Sequence, residues 1–183
     1  MARSSATDEQ LIGAFGGGDR AALALLAGRY ERQLLGLAAG LLGGRADLAC
    51  DAVQETWLRV IRFAHSFDGR SSLKTWLYRV LINQCHNLRA SQELTLRARP
   101  GPVGDRHATP DEALSTSEQN TALQAAVDRL PAEKRVVVLL CYHQGITHER
   151  AAEVLEIPVG TLKSRLHAAL EQLRAQLSSE GTP

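Results

Sequence analysis

A tight break near the C-terminus separates two segments that both have helical patterns. The first runs from Gly145 to Leu155, and a second helical pattern opens at Val159 directly after Pro158. Proline fits the first turn of a helix and prevents the preceding helix from running on, so the break is specified locally. Two helices joined by so short a turn form a helix-turn-helix.

The second of these helices is predicted to be amphipathic. Its apolar positions share one stripe at helical spacing: Leu162, Leu166, Ala169, Leu170, Leu173 and Leu177. The opposite face is small or polar at Gly160, Ser164 and His167, and Lys163 and Arg165 lie at the edges of the buried stripe. Such a helix can enter a major groove while its cations meet phosphates. The alternative is a solvated surface helix, which is what most amphipathic helices with a few cations are.

Composition predicts an all-α protein of two small helical domains joined by a flexible linker. The 183 residues are 44% hydrophobic but only 4% aromatic, and leucine and alanine are abundant. This composition favours helix packing over a sheet, which needs aromatic and β-branched residues. The N-terminus lacks the apolar segment of a signal peptide, and no apolar run reaches the length of a membrane span, so we expect a cytoplasmic protein without membrane insertion.

Helix and linker signals divide the chain into residues 1–93, 94–115 and 116–183. Thr7 and Gln10 have the spacing of a capping box, and apolar periodicity then predicts further helices, the last of the first domain running from about Leu73 to Ala90. Residues 94–115 contain prolines, glycines and scattered charges, a composition typical of a linker. The apolar positions expected to face the core include Val53, Trp57, Val60 and Ile61 before the linker, and Leu123, Val127 and Leu130 after it.

The positive charge of the chain is concentrated in one segment. Residues 59–89 hold six cations against one acid, a net +5, although the whole chain carries only +1. On the helix from Leu73, one face is predicted to carry Trp76, Arg79, Asn83, His86 and Asn87. Rings, amides and cations together are expected where unstacked bases are bound. The alternative is that Trp76 completes the core and Arg79 is merely solvated.

Cysteine and histidine positions do not predict a metal site or a disulfide framework. Cys50, Cys85 and Cys141 are widely separated, and we expect buried, reduced thiols. A sensor built from Cys141, His143 and His148, or from Cys85 and His86, is an alternative, but residues two apart point about 200° apart on a helix. No nucleophile triad, phosphate-binding glycine loop or carboxylate pair stands out, so we expect no cofactor, no metal and no catalysis by this chain.

Three segments of the chain resemble the extracytoplasmic-function (ECF) sigma factors of bacterial RNA polymerase, members of the sigma-70 family. Residues 51–59 are similar to that family's polymerase-binding helix, and residues 67–79 resemble its promoter-melting loop and helix. Residues 157–166 resemble its reader of the upstream promoter element. The three motifs occur in the family's order, with the linker where the family has one.

The resemblance implies a role for each matching residue. It assigns core polymerase binding to Asp51, Gln54, Glu55 and Arg59. It assigns recognition and melting of the minus-10 DNA to Phe67, Asp68, Ser71, Lys74, Trp76, Arg79, Asn83, His86, Asn87 and Arg89. It assigns contacts with the minus-35 duplex to Thr161, Lys163, Ser164, Arg165 and His167.

The implied function is a sigma factor whose partners are core RNA polymerase, promoter DNA and an anti-sigma factor. The sequence departs from the family pattern at residues 83–87, at Thr147-His148 and at Ala168, so the promoter sequence cannot be transferred from relatives. The alternative is a helix-turn-helix transcriptional regulator whose N-terminal helices sense a ligand. That alternative leaves the basic helix that carries Trp76 unexplained.

Overall fold

The computed structural model describes residues 6–98 and 118–180, and within these ranges every regular element is helical. The eight α-helices are α1 (Asp8–Gly16), α2 (Arg20–Leu41), α3 (Ala46–Phe63), α4 (Leu73–Ala98), α5 (Glu118–Arg129), α6 (Ala132–Val138), α7 (His148–Leu155) and α8 (Val159–Glu180). A 3-10 turn over Ala64–Ser66 precedes α4, and α6 continues into a π-helical segment, Leu139–His143. The all-α class is confirmed, and α7 and α8 form the predicted helix-turn-helix. Below, α1–α4 are called the first half and α5–α8 the second half.

Several helices begin at side chains that satisfy their free backbone amides. Thr7 and Gln10 form the predicted capping box of α1. Asp19 accepts from the second amide of α2, and Ser72 Oγ accepts from the Thr75 amide at 3.1 Å at the start of α4. Thr147 caps α7 in the same way. Each such cap contributes about 1 kcal/mol, so these boundaries are encoded locally.

Helix α4 extends beyond its predicted end at Ala90 and reaches Ala98. Residues 91–98 contain neither proline nor glycine, and Pro100 is the first residue that cannot continue a helix. The predicted linker, 94–115, therefore overlaps the last turn of α4, and its residues 99–115 lie outside the described residues.

The buried apolar residues form one continuous cluster that extends through both halves. In the first half its fully buried members include Leu26, Leu34, Leu37, Val60, Leu73, Leu77 and Leu81, and in the second half Leu130, Leu140, Leu162 and Ala169. Burial of each leucine contributes about 1.5–3 kcal/mol. The apolar stripe predicted for α8 is confirmed over most of its length.

Three residues predicted to face the core are exposed instead. Ile61 is 49%, Leu123 45% and Leu177 37% exposed. Ile61 follows Val60 directly and so points about 100° away from the buried face. Leu123 precedes the first residue of α5 that is described as buried, and Leu177 follows the last one of α8, so both lie beyond the buried part of their helix.

The two halves approach closely where α2 meets the π-helical segment. A Cβ atom on Gly36 would lie 2.9 Å from Nε2 of His143, and one on Gly40 would lie 2.8 Å from Cδ2 of Leu139. Glycine inside a helix is about 1 kcal/mol less favourable than alanine. Its presence at two positions one turn apart fits this contact, since a side chain at either position would have to push His143 or Leu139 aside.

Arg135 is the most deeply buried charged residue among the described residues, with 4% of its surface exposed. Its guanidinium donates to the carbonyl oxygens of Val127, at 3.1 Å, and Asp128 in the last turn of α5. It also donates to the carbonyl of Leu130, at 3.1 Å, directly after that helix. It also donates to the carbonyl of Leu41, at 3.2 Å, at the C-terminus of α2. One side chain thereby satisfies carbonyls in both halves.

A second polar contact between the halves centres on Tyr78. Its hydroxyl lies 3.0 Å from Gln33 Oε1 and 2.8 Å from Gln144 Oε1. The amide nitrogen of Gln144 donates to the Gln33 carbonyl at 3.1 Å. Burial raises the pKa of Tyr78 to about 12, so the hydroxyl stays protonated and able to donate at neutral pH.

Candidate nucleic-acid interface

The outer face of α3 carries all four side chains predicted to bind polymerase. They are exposed together: Asp51, Gln54, Glu55 and Arg59. Glu55 and Arg59 form an ion pair at 3.8 Å, which is exposed and contributes at most about 1 kcal/mol. Breaking this pair to meet a partner therefore costs little.

Two apolar residues on the same face were missed by the sequence analysis. Leu58 is 48% exposed and lies seven residues after Asp51, and Ile61 lies seven residues after Gln54, so both are two turns further along the polar stripe. Exposed leucine and isoleucine beside charged side chains are typical of a protein-binding surface. Their spacing from the polar residues was the signal that could have revealed them.

Arg59 also connects α3 to α4. With the Gln84 amide oriented so that its oxygen faces the guanidinium, that oxygen accepts from Arg59 Nη2 at 2.9 Å. Gln84 is buried, so this contact fixes the guanidinium at the edge of the cleft described next. Arg59 lies where the α3 surface and the cleft meet.

A cleft of about 610 Å³ lies between the end of α3 and the start of α4. Its lining includes five of the ten residues predicted to contact the minus-10 DNA: Phe67, Asp68, Ser71, Trp76 and Arg79. The rings of Phe67 and Trp76 are tilted by 59°, with centroids 5.8 Å apart. These five residues bring together two rings, a carboxylate, a hydroxyl and a cation, and Phe63, Arg59 and Arg70 add a third ring and two more cations to the lining. Rings and cations together are suited to an unstacked base and its phosphate.

The loop before α4 gives the cleft its shape. Gly69 adopts a left-handed φ of 70°, which other residues rarely adopt, and this lets the chain turn directly after Asp68. Asp68 accepts from the Arg70 amide at 3.1 Å and pairs with its guanidinium at 3.0 Å. Trp76 then follows the Ser72 cap by one turn and projects toward Phe67.

Two other predicted residues line a second cavity rather than the cleft. Asn83 and His86 lie one and two turns after Arg79 in α4. At this point a cavity of about 540 Å³ lies between α4 and the second half. Asn83 is therefore not beside Phe67 and Asp68 in this structure. Burial and the nearby Arg89 lower the pKa of His86, which favours its neutral form.

The remaining predicted minus-10 residues differ in their surroundings. Asn87 is exposed. The ammonium of Lys74 lies 5.5 Å from the ring centroid of Tyr78. Arg89 is half-buried and donates to the Leu41 carbonyl at 3.0 Å, so in this structure its guanidinium binds the C-terminus of α2 instead of facing solvent.

Arg79 contacts the second half directly. Its Nη2 donates to the Glu153 carbonyl at 2.8 Å, and its Nη1 pairs with Glu156 Oε1 at 3.1 Å. Glu153 also lines the cleft. The C-terminus of α7 therefore covers one side of the predicted minus-10 site.

The outer face of α8 carries the residues predicted to read the minus-35 duplex. Lys163, Ser164 and His167 are exposed, and Thr161 is half-buried, with its carbonyl accepting from Ser164 Oγ at 2.9 Å. Arg165 pairs with Glu133 of α6 at 3.2 Å. Three predicted contacts are thus open to a duplex, while Arg165 has to leave an ion pair to reach one.

The three thiols differ in accessibility, contrary to the expectation that all are buried. Cys50 is exposed, Cys141 is half-buried and Cys85 is buried. Cys50 follows the buried Ala49 and so falls on the outer side of α3. Burial raises the pKa of Cys85 to about 12 and also raises that of Cys141.

We expect a thiol reagent at pH 8 to label Cys50 rapidly and Cys85 only when the protein opens. The raised pKa keeps Cys85 protonated below about pH 12, and the thiolate is the reactive form. Mass spectrometry of the labelled chain over time checks this order, with Cys50→Ser as the control that removes the fast phase. Rapid labelling of Cys85 in folded protein would contradict it.

Neither a metal site nor a membrane helix is found in the described parts of the chain. Within residues 6–98 and 118–180, no three His, Cys, Asp or Glu side chains are grouped so that they could hold an ion. No helix in these ranges combines the length and apolar character needed to cross a membrane.

Two family matches cover most of both halves. Residues 26–95 match Sigma-70 region 2, and residues 120–173 match Sigma-70, region 4. The first match contains the α3 surface and every residue that lines the cleft except Glu153, and the second contains the helix-turn-helix. A ligand-sensing first half is therefore not supported.

Relatives and solved structures agree with these matches over nearly the whole chain. The chain is 30% identical to the RNA polymerase sigma-H factor of Pseudomonas aeruginosa, over 91% of each chain. It is 29% identical to the ECF RNA polymerase sigma-E factor of Haemophilus influenzae, over 93% of this chain and 95% of the relative.

Two solved structures share the fold. The sigma factor RpoE of Bartonella quintana, solved with the anti-sigma factor NepR, matches 80% of this chain and 91% of its own with 25% identity and a TM-score of 0.69. CnrH, solved with the cytosolic domain of CnrY, matches 95% of this chain and 99% of its own with 21% identity and a TM-score of 0.72. With both region matches and full-length relatives in agreement, the chain belongs to the sigma-70 family, as an ECF sigma factor that directs transcription to promoters.

Proposed function

We propose that the cleft between α3 and α4 binds a base unstacked from the minus-10 element, and that this site gives the protein its role in promoter opening. The grouping of Phe67, Trp76, Asp68, Ser71 and Arg79 around one cleft is the observation that supports this assignment. Taking a base out of the stack costs a few kcal/mol, which ring and cation contacts must offset. Sigma and core polymerase together supply that energy.

We further propose that α3 is the polymerase-binding helix and α8 the minus-35 reader. Exposure of Asp51, Gln54, Glu55 and Arg59 on one face, with Leu58 beside them, supports the first assignment. For the second, the support is the exposed Lys163, Ser164 and His167 at the start of α8. The proposed boundaries of the two units and the linker remain 1–93, 94–115 and 116–183.

The chain, in this proposal, acts by binding rather than by catalysing a reaction, and it works in the cytoplasm with the polymerase. A relative of known structure, RpoE of Bartonella quintana, was solved with an anti-sigma factor. We therefore propose an anti-sigma factor as the regulator of this chain as well.

Transcription from genomic fragments with reconstituted holoenzyme tests the proposed function. Core polymerase plus this chain should bind and transcribe a defined set of fragments, whereas core alone should transcribe none of them specifically. Sequencing the bound fragments would give the promoter elements. If the chain neither binds core polymerase nor changes the transcripts, the proposal is wrong.

Two single substitutions on the exposed face of α8 should distinguish a phosphate contact from a contact that recognises a base. Lys163→Ala should weaken binding of the holoenzyme to all minus-35 duplexes and lower the slope of log affinity against log salt by about 1, because one phosphate contact is lost. His167→Ala should change the preference among duplexes by about 5- to 100-fold at one base pair, as expected for about 1–3 kcal/mol of base discrimination. Fluorescence anisotropy over a salt series measures both. Equal effects of the two substitutions would contradict these assignments.

A further inference from the structure

One wall of the cleft between α3 and α4 is formed by the last turns of α3, and the predicted minus-10 contacts leave this wall without a role. Arg59 and Phe63 both line the cleft, and they lie four residues apart, so they share one face of the helix. Arg59 was predicted to bind polymerase, and Phe63 was not predicted to bind anything. The five predicted minus-10 residues in the cleft all come from the segment after the 3-10 turn and from α4.

Phe63 is more exposed than the other two rings of the cleft. It has 44% of its surface exposed, whereas Phe67 and Trp76 are half-buried and pack against the core. Two of the three phenylalanines and one of the two tryptophans in the chain line this single cleft. Leaving a large ring in water is unfavourable, so an exposed ring beside two others is typical of a binding surface.

The volume of the cleft leaves room beside the ring pair of Phe67 and Trp76. The cleft measures about 610 Å³, and cavities of about 300–1,000 Å³ hold drug-sized ligands. A single base is smaller than such a ligand. One base on the ring pair therefore does not fill the cleft, and Phe63 reaches the remaining space from a different helix.

Arg59 is held where it can meet the phosphate of a nucleotide bound beside Phe63. Its ion pair with Glu55, at 3.8 Å, is exposed and costs little to break. With its amide oxygen facing the guanidinium, the buried Gln84 accepts from Arg59 Nη2 at 2.9 Å. The guanidinium is therefore positioned before a ligand arrives, and its planar set of donors suits a phosphate.

We propose that Phe63 is a further base-binding residue, whose ring stacks on the nucleotide next to the one held by Phe67 and Trp76, while Arg59 binds the phosphate of that neighbouring nucleotide. The inference rests on the proposed function of the cleft. Stacking on an aromatic side chain tolerates any base, and a phenyl ring has no hydrogen-bonding group. The contact should therefore add affinity for the opened strand without selecting its sequence.

Opening of a duplex promoter by the holoenzyme tests the stacking contact. Phe63→Ala should reduce the permanganate reactivity of the opened segment about 5- to 100-fold, the range for loss of one stacking ring. Phe63→Leu keeps an apolar side chain without the ring and should lose nearly as much, whereas Phe63→Trp should open the promoter like the unsubstituted chain. Tyr142→Ala removes an exposed aromatic side chain outside the cleft and should have no effect.

Gel filtration with core polymerase shows whether these variants assemble. Phe63 is exposed, so Phe63→Ala should fold and bind core normally. If Phe63→Ala does not assemble, Phe63→Leu, which keeps most of the apolar volume, decides the same question. Full opening activity in an assembled variant that lacks the ring would overturn the proposal.

Abasic sites assign each ring to its nucleotide. The duplex promoter is prepared with one base of the minus-10 non-template strand removed at a time. Once the stacking base is absent, substitution of its ring should have no further effect, as in a double-mutant cycle. Trp76→Ala and Phe63→Ala should each lose their effect at one position, and the two positions should be adjacent. Loss of both effects at the same position would overturn the proposal.

Salt dependence tests the role of Arg59. For the assembled holoenzyme on a promoter with an unpaired minus-10 segment, Arg59→Ala should lower the slope of log affinity against log salt by about 0.7, as for one phosphate contact on a single strand. Arg62→Ala is the matched control and should leave the slope unchanged, because Arg62 is an exposed cation of the same helix that does not line the cleft. An unchanged slope for Arg59→Ala would overturn its assignment to a phosphate.

The abasic templates also distinguish failure of this proposal from failure of the proposed function. If Trp76→Ala loses its effect at one minus-10 position and Phe63→Ala at none, the role of Phe63 is wrong and the cleft keeps its proposed function. If neither substitution loses its effect at any minus-10 position, the cleft does not hold an unstacked base, and both proposals are wrong.

Discussion

Arg135→Ala should lower the free energy of unfolding by about 3–4 kcal/mol. The substitution leaves the carbonyls of Val127, Asp128 and Leu130 without their charged donor, while the Leu41 carbonyl keeps its bond from Arg89, and bonds to a charged group contribute about 1.5–3 kcal/mol each. The loss should stay below the sum of these bonds because the buried cation is itself costly. Burial indeed lowers the pKa of Arg135. Urea unfolding followed by circular dichroism measures the change.

Three comparisons isolate the cause of this loss. Arg135→Lys keeps the charge but lacks the planar set of donors, so it should recover only part of the stability. Arg135→Met keeps much of the side-chain volume and should remain almost as unstable as alanine. Arg174→Ala removes an arginine that is 76% exposed and should change stability by less than about 0.5 kcal/mol. If Arg135→Ala behaves like Arg174→Ala, the buried contacts are not stabilising.

Trp76→Ala should reduce promoter opening by about 10- to 100-fold with little change in binding to core polymerase. Loss of one stacking ring costs about 1–3 kcal/mol per base. The proposed polymerase-binding face of α3 does not include the ring pair of Trp76 and Phe67, so the complex with core should form normally. Permanganate reactivity of the minus-10 thymines measures opening, and gel filtration measures assembly with core.

A template with an unpaired minus-10 segment distinguishes melting from simple loss of folding. Transcription by the Trp76→Ala holoenzyme should recover to within about threefold on this template, because strand separation no longer has to be driven. Trp76→Phe should keep most of the opening activity. Tyr142→Ala removes an aromatic side chain that is 63% exposed and outside the cleft, and it should have no effect. Equal defects on duplex and unpaired templates would contradict a role of Trp76 in melting.

Local signals in the sequence predicted most of the helices correctly. The capping box at Thr7, the break at Pro158 and the apolar stripe of α8 each depend on residues a few positions apart, so they can be recognised without tertiary information. The end of α4 was placed too early because charged and polar residues in a helix and in a linker look alike until a proline intervenes.

Contacts between the halves could not be predicted from local patterns. Arg135 looks like any surface arginine in a helix, and only the positions of α5 and α2 around it show that it is buried. Arg89 was expected to contact minus-10 DNA but donates to the Leu41 carbonyl. This contact also depends on the position of α2, which local sequence patterns do not give. Likewise, the exposure of Ile61 depends on which side of α3 packs against the other helices, and this is a tertiary property. Gly36 and Gly40 gave a usable signal, since two glycines one turn apart within a helix indicate a close approach.

The fit at Gly36 and Gly40 limits how this protein can be recombined with its relatives. A chimera that joins the first half to a foreign second half with bulkier residues in place of Leu139 and His143 would meet α2 with no space left for them. Such a hybrid could still fold in each part, but its two halves could not pack against each other as they do in the parent. The surface of α2 and the π-helical segment that packs on it should therefore be exchanged as a pair.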